Sequence, residues 1–249
     1  MPARACFTFD NMGEAAEIGA GRCAGPLAPG ADPSLAVGYP AIFAMLERMR
    51  VRATFFIEGW NGEHHPEAVR EIAARGHELG MHGWLHEDWK TLPPETERAL
   101  AGRATEALAR AAGVAPQGFR APGGARTAQT EPILRELGYR YDASLGDGMR
   151  PARLPAGLVQ LPFVWPCVDG FYYLTRDPPA DPAVVRDAWL DALTRTVARG
   201  GLFVTICHGF LTGIDPARMT ALAAVIDAAR AAAVEISTMG AAADDLARR

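Results

Sequence analysis

Ala53-Thr54-Phe55-Phe56-Ile57 is the stretch of the sequence that decides the fold class. It is aromatic and β-branched, and polar residues do not alternate with apolar ones along it. A strand of this kind is buried on both faces, which is typical of a parallel sheet covered by helices. The stretch therefore predicts an α/β protein.

Apolar runs and amphipathic helical patterns alternate along the rest of the chain, with no linker and no break in composition. Strands are predicted at residues 5–9, 53–57, 77–81, 118–120, 139–142, 158–164, 202–207 and 234–237. Helices are predicted at 39–49, 66–75, 94–112, 130–137, 182–199 and 216–231, with an Ala-rich helix at the C-terminus. Loops are predicted at 11–34, 145–155 and 165–177. This order, roughly seven or eight strand–helix units, predicts one parallel α/β sheet that is closed or nearly closed into a barrel.

The composition is that of a globular protein and argues against several function classes. The 249 residues are 49% hydrophobic and 22% charged, with a net charge of −4, which gives no reason to expect nucleic acid or an anionic membrane as a partner. An apolar run of about 18 residues, which a membrane span requires, is absent from the sequence. The N-terminus has no apolar signal region, so we expect a cytoplasmic protein. The four cysteines show no CxxC spacing and are expected to be unpaired thiols.

Two histidines four residues apart, His82 and His86, follow the third predicted strand. On a helix or a tight helical turn, this spacing places both imidazoles on one face, where they can bind one cation. Gly80 and Gly83 loosen the backbone around the pair, which favours a strand end that opens into a loop. The pair is a candidate metal site that needs a third ligand.

Asp10, Arg120 and His208 each come at the end of an apolar run. Taken singly, they have ordinary structural explanations: a turn aspartate, a structural ion pair and a buried histidine. In an α/β barrel, however, functional side chains gather where the strands end. Their joint placement with the two histidines indicates one site.

Five motifs in this order resemble those of the polysaccharide deacetylases, carbohydrate esterase family 4. The resemblance runs from about Ala5 to Gly209 and rests on the motif order more than on any single residue. The motifs are Thr8-Phe9-Asp10-Asn11, His82-x-x-x-His86, Arg120-Ala121-Pro122-Gly123-Gly124, Tyr141-Asp142-Ala143-Ser144, and His208 after an apolar strand.

The resemblance implies a single-domain, distorted (β/α)7-type barrel over residues 1–249 that hydrolyses an acetamide on an amino sugar with a divalent metal, most often zinc. His82 and His86 would be metal ligands. Asp10 would be the general base, held by Arg120. His208 would be the general acid that protonates the departing amine.

Asn11 departs from the family pattern, because the family usually has there an aspartate that is the third metal ligand. The amide oxygen of Asn11 can still bind the metal, but it brings no charge, so weaker metal affinity is predicted. Glu14 is an alternative third ligand if the loop folds back. A metal-free site, as in relatives that cleave cyclic amides, also remains open.

Four further residues are expected at the substrate: Trp84, Pro122, Trp165 and Asp169, of which Asp169 would orient either His208 or the substrate. We therefore predict a metal-dependent hydrolase that removes an N-acetyl group from an amino sugar or a small acylated metabolite. Two alternatives remain at this point. One is an amidohydrolase of the same fold that acts on cyclic amides or ureides. The other is a non-catalytic, carbohydrate-binding relative.

Overall fold

Nine strands form one sheet within residues 2–146 and 148–248, the part of the chain that the computed structural model describes. The strands are β1 Ala3–Asp10, β2 Thr54–Ile57, β3 Glu78–Met81, β4 Gly118–Phe119, β5 Tyr141–Asp142, β6 Ala152–Arg153, β7 Val159–Gln160, β8 Gly201–His208 and β9 Glu235–Ile236. The helices are α1 Ala15–Gly19, α2 Tyr39–Met49, α3 Trp60–His64, α4 Pro66–Ala74, α5 Pro94–Ala112, α6 Thr130–Glu136, α7 Asp169–Tyr173, α8 Pro182–Arg199, α9 Pro216–Ala231 and α10 Met239–Ala247.

The sheet has the order β6-β7-β5-β4-β3-β2-β1-β8, and β9 pairs with the beginning of β1. Its pairs are parallel except for β6–β7. Two single bridges extend the sheet after β7: Phe163 pairs with Leu145, which follows β5, and Val168 pairs with Ile206 of β8. The second bridge links the β7 side of the sheet to β8 and nearly closes it, which confirms the prediction of a distorted α/β barrel.

The central strands are buried on both faces, as the sequence of β2 predicts. Each of the four residues of β2 is buried, and so are the last seven residues of β1. Phe9 of β1 stacks on Phe55 of β2, with 5.0 Å between the ring centroids. The register between β1 and β8 pairs Asp10 with His208, so the two polar side chains end neighbouring strands at the same edge of the sheet.

Three predicted loops contain regular structure. The segment 11–34 includes the short helix α1, and 165–177 includes α7. In the second case a hydrogen bond from the hydroxyl of Tyr172 to the carbonyl oxygen of Pro166, 3.0 Å, helps to fold the segment back on itself. The segment 145–155 contains the exposed edge strand β6, which the sequence does not reveal because both of its residues face solvent.

The four cysteines are free thiols, as their spacing predicts, and three of them are buried. Within the described ranges, each helix is either too short or too polar to cross a bilayer.

Gly59, at the start of α3, lies where α3 packs against α5. A Cβ atom there would come within 2.3 Å of the Ala104 Cα. Because Ala104 Cα belongs to the backbone of a packed helix, it can move away only if the whole helix moves. We expect Gly59→Ala to lower the free energy of unfolding by about 1–3 kcal/mol. Gly102, on the open side of α5, would have nothing within 4 Å of an added Cβ atom. Gly102→Ala is the matched control and should raise stability by up to about 1 kcal/mol. Urea unfolding followed by tryptophan fluorescence measures both; equal effects would contradict the packing account.

Candidate active site

The carboxyl ends of the strands surround one cavity of about 420 Å³. Asp10 ends β1 and His208 ends β8, while His82 and Arg120 directly follow β3 and β4. All four side chains line the cavity together with His86. The structure thus brings together five residues that are up to 198 positions apart in the chain, from Asp10 to His208.

Asp10 is held by a buried ion pair with Arg120. The Arg120 Nη1 donates to Asp10 Oδ1 at 2.6 Å and to the hydroxyl of Thr8 at 2.8 Å, and Nε donates to the Ala143 carbonyl oxygen at 3.1 Å. Burial raises the pKa of Asp10, and this effect exceeds the lowering by the charges of Arg120 and His208. Asp10 is therefore a stronger base than an ordinary aspartate, in a fixed orientation.

His208 is held by Asp169, which lies behind it in α7. Asp169 Oδ1 is 2.5 Å from His208 Nδ1, and Oδ2 accepts hydrogen bonds from the His208 backbone N–H at 2.8 Å and from the hydroxyl of Thr212 at 2.7 Å. Nδ1 therefore carries a proton. Burial by itself lowers the pKa of His208, but the charge and hydrogen bond of Asp169 outweigh it, so the pKa is raised. Of the two predicted partners of Asp169, the structure places it against His208.

The histidine pair lies in a loop after β3 and not on a helix. His82 Nδ1 donates to the carbonyl oxygen of Arg120 at 2.8 Å, which leaves Nε2 with its lone pair, 4.0 Å from Asp10 Oδ2. The ring centroids of His82 and His86 are 4.9 Å apart. The turn requires a left-handed backbone at His86, φ 61°, and Glu87 fixes it by accepting from the backbone N–H groups of Trp84 and Leu85.

Both imidazoles of the pair are neutral at pH 7. Burial and the neighbouring His86 lower the pKa of His82 well below its ordinary value. Burial and His208 lower the pKa of His86 to about 4. Neutral imidazole nitrogens are the form that binds metals.

The side chain of Asn11 is hydrogen-bonded to Glu58, a buried glutamate directly after β2. Its Nδ2 donates to Glu58 Oε1 at 2.5 Å, while Glu58 Oε2 accepts from the Met12 N–H and from Asn61 Nδ2, both at 3.1 Å. Burial raises the pKa of Glu58 to about 8, although these donors favour its charged form. Because the side-chain nitrogen Nδ2 of Asn11 donates to Glu58, the side-chain oxygen Oδ1 is the atom that can bind another group.

The donor set fits a divalent cation in the type of its atoms, although it carries no negative charge of its own. Across the described part of the chain, no three His, Cys, Asp or Glu side chains gather as a metal-binding group. The two imidazoles line the cavity, whereas Asn11, the predicted third ligand, follows Asp10 in the chain but is not among the lining residues. Two imidazole nitrogens and an amide oxygen are donors of a type that suits zinc. The hydrogen bond from His82 Nδ1 to a carbonyl oxygen is the support that metal-binding histidines commonly have.

The other residues predicted at the substrate divide into two groups. Trp165 lines the cavity and is 44% exposed. Trp84 is buried outside the cavity lining, with its ring 3.7 Å from the Arg103 guanidinium carbon. Pro122 is also buried and begins the turn that presents Gly123 and Gly124 to the cavity. The placement of Trp84 and Pro122 favours structural roles.

Glu14, the alternative third ligand, is occupied elsewhere. Its Oε1 accepts from the Leu27 N–H at 2.8 Å, and its Oε2 is 3.0 Å from His65 Nε2. Glu14 therefore anchors the segment between α1 and residue 27.

Glu58 and the apolar cavity wall, apart from Trp165, are features that the sequence does not predict. Glu58 follows the buried strand β2 directly, in the same position relative to its strand that draws attention to Asp10 and His208. Its position directly after a predicted buried strand could therefore have identified Glu58 as a candidate site residue. The wall residues Phe171 and Leu174 carry no such signal, because their chain segment is expected to be a loop.

The fold and the cavity together define a barrel protein with a buried carboxylate, a supported histidine and an imidazole pair at the carboxyl ends of its strands. The sequence model of the polysaccharide deacetylase family matches residues 25–141. A Mycobacterium smegmatis protein assigned as a polysaccharide deacetylase is 31% identical in a structural alignment that covers 98% of this chain and 94% of that one, with a TM-score of 0.86. The chain therefore belongs to the polysaccharide deacetylase family.

Two further relatives show how far the likeness extends. The peptidoglycan deacetylase of Helicobacter pylori is 30% identical over 109 residues, which are 44% of this chain and 37% of that protein. The match thus spans little more than a third of this curated relative. The structure of Puue allantoinase aligns with 97% of this chain and 90% of its own length at 22% identity, with a TM-score of 0.80. At that identity the likeness shows the fold alone.

The pKa of His208 is expected to fall in Asp169→Asn, because the variant keeps a hydrogen-bond acceptor but removes the charge that raises this pKa. An NMR titration of the imidazole signals measures the shift without any substrate. Asp191→Asn, an exposed aspartate of α8, is the control and should leave the titration unchanged. An unchanged pKa in Asp169→Asn would contradict the assignment of Asp169 as the group that raises the pKa of His208.

The same pair makes stability depend on pH. The folded-state pKa of His208 lies above its ordinary value of 6.5. The stabilisation is therefore fully present below about pH 6.5 and is lost as the pH rises through the raised pKa. Asp169→Asn should remove this contribution, so that its deficit in unfolding free energy, measured by urea unfolding, is larger at pH 6 than at pH 9.

Proposed function

We propose that this chain is an amide hydrolase that cleaves a carbon–nitrogen bond, with an N-acetyl group on an amino sugar or a small acylated metabolite as its substrate. One observation carries the proposal. A carboxylate with a raised pKa and a histidine with a raised pKa end adjacent, paired strands at the edge of one cavity. Such a pair can supply the base and the acid that amide hydrolysis requires.

In this proposal Asp10 accepts a proton from a water molecule whose oxygen bonds to the amide carbon, and the carbon–nitrogen bond breaks when the nitrogen is protonated. Arg120 holds Oδ1 of Asp10 by a 2.6 Å hydrogen bond, which leaves Oδ2 to take the proton. His208 then donates a proton from Nε2 to the departing nitrogen, because an amine leaves readily only when protonated. Asp169 stabilises the positive charge on His208 until that transfer and fixes the orientation of the ring.

A divalent cation beside Asp10 would be held by His82, His86 and the side-chain oxygen of Asn11. The chemistry of these donors favours zinc. When bound, the cation supplies Lewis-acid polarisation of the amide carbonyl and favours deprotonation of the attacking water. The absence of a charged ligand predicts modest affinity. The neighbouring carboxylate of Asp10 and the supported His208 remain able to transfer protons whichever cation is bound.

A cyclic amide is a second candidate substrate class, and the Asn11–Glu58 lock favours it. An amide oxygen in place of a carboxylate weakens the cation site, which fits a hydrolase that depends less on a metal. Puue allantoinase, which shares this fold, is named for a cyclic ureide substrate. A purely carbohydrate-binding protein is the least favoured candidate, because binding alone needs neither the Arg120-supported Asp10 nor the Asp169-supported His208.

Two substitutions separate the cation from the base. We expect His82→Ala to lose both zinc binding and amide hydrolysis. We expect Asp10→Asn to retain zinc binding but to lose about 10² to 10⁴ in rate, the usual range for a general base. Calorimetric titration with zinc and turnover of an N-acetyl substrate measure the two properties. His64→Ala, which changes an exposed histidine stacked on Trp60 outside the cavity, should change neither. Full activity in His82→Ala would favour the cyclic-amide hydrolase that needs no metal.

Glu58 determines how the substitution Asn11→Asp affects zinc affinity and stability. Asn11→Asp by itself places a carboxyl group against Glu58, so the two must share a proton, and we expect little gain in zinc affinity together with lower stability at alkaline pH. Adding Glu58→Gln restores the hydrogen bond with its direction reversed, since the Gln amide nitrogen can donate to Asp while its oxygen still accepts from Met12 and Asn61. The double variant should bind zinc at least about tenfold more tightly than the parent protein, because its third ligand is charged.

Calorimetry with zinc and thermal unfolding at pH 6 and pH 9 test this pair of variants. Equal zinc affinity in the parent protein and the double variant would mean that residue 11 does not contact the cation.

A further inference from the structure

The cavity wall is apolar wherever it is not formed by the acid, the base, Arg120 or the imidazole pair. Among the described residues, two further side chains of the lining carry a polar atom: Thr175 with its hydroxyl and Trp165 with its indole N–H. The rest of the wall consists of glycine, alanine and large apolar side chains. The large ones are Phe163, Trp165, Val168, Phe171, Leu174 and Ile206.

The hydrogen-bonding groups of this wall are largely occupied within the protein. The Thr175 hydroxyl donates to the Phe171 carbonyl oxygen at 2.6 Å. The Ala121 N–H donates to Ser144 Oγ at 2.8 Å, and the Gly124 N–H donates to the Ala121 carbonyl oxygen at 2.8 Å. A hydroxyl group of a bound ligand would therefore leave water and find few partners, which is unfavourable.

The mouth of the cavity is apolar as well. Trp165 is 44% exposed and Leu174 is 62% exposed. Both line the cavity and belong to the segment between β7 and α8 that also supplies Phe171. A ligand with a hydrophobic group would bury these side chains and gain the free energy of removing their surface from water.

We infer that the substrate of this site is an amide whose non-reacting part is a compact hydrophobic group, alkyl or aryl, and not a hydroxylated sugar. The inference rests on the proposed function, because it takes the cavity as the place where the amide is held, and it narrows the two proposed substrate classes to the small acylated metabolite. The amide itself is served by Asp10, His208 and the imidazole pair. The remainder of the ligand faces only apolar wall.

Two matched pairs of amides test the inference. N-acetylglucosamine and N-acetylcyclohexylamine present the same acetamide on a six-membered ring, with and without hydroxyl groups. Hydantoin and 5-phenylhydantoin present the same cyclic amide without and with a hydrophobic group. In whichever pair is hydrolysed, we expect kcat/KM to be at least about tenfold higher for the hydrophobic member, which corresponds to burying part of one apolar group. A preference for the hydroxylated or unsubstituted member would overturn the inference.

A variant locates the preference in the wall. Leu174→Ser should reduce the preference for the hydrophobic member several-fold, mainly through a higher KM. Val184→Ser, which changes an equally accessible apolar residue of α8 that is 53% exposed, should leave the preference unchanged. An equal effect of both substitutions, or none from Leu174→Ser, would contradict the role of the wall.

Failure of the proposed function would be recognised separately. If none of the four amides is hydrolysed, the hydrolase proposal fails, and calorimetric binding of the same four compounds then tests the inference alone. Tighter binding of the two hydrophobic members would support it. Equal binding, or tighter binding of the sugar derivative, would overturn it.

Discussion

The buried ion pair between Asp10 and Arg120 is the interaction on which the rest of the site depends. A carboxylate this deeply buried is costly unless a positive charge and hydrogen bonds compensate it. Arg120 supplies both, and its guanidinium group is itself fixed by Thr8, by the Ala143 carbonyl oxygen and by the ring of Phe56, 4.1 Å away. Because Asp10 ends β1 and Arg120 follows β4, the pair also spans the inside of the barrel.

Both histidine sites are positioned relative to the Asp10–Arg120 ion pair. The carbonyl oxygen of Arg120 fixes the tautomer of His82, so one residue orients both the carboxylate and the first imidazole. On the other side of Asp10, the strand register places His208, and Asp169 raises its pKa. The geometry thus separates two kinds of histidine in one cavity. Burial lowers the pKa values of His82 and His86, whereas a carboxylate raises the pKa of His208.

The fold could be predicted from the sequence because its signals are local. A buried strand such as β2 has a distinctive composition, and alternation with helices then leaves few topologies. The edge strand β6 could not be predicted, because its two exposed residues gain nothing from burial.

The structure gathers Asp10, His82 and His208 because parallel strands end at one edge of the sheet, and this follows from the fold class. The partners of these residues could not be predicted in the same way, since the contacts of Asp169 with His208 and of Glu58 with Asn11 depend on how remote segments pack together. The contact of Trp84 with Arg103, 3.7 Å from the ring to the guanidinium carbon, could not be predicted for the same reason.

The pH dependence of kcat/KM for amide hydrolysis tests the central claim most directly, because the claim requires an unprotonated Asp10 and a protonated His208 in one centre. The account predicts a bell-shaped profile. Its acidic limb should lie above the ordinary range of an aspartate, as burial raises the pKa of Asp10, and its alkaline limb should lie above pH 6.5, as Asp169 raises the pKa of His208. A rate that rises steadily with pH and shows no alkaline limb would contradict the account.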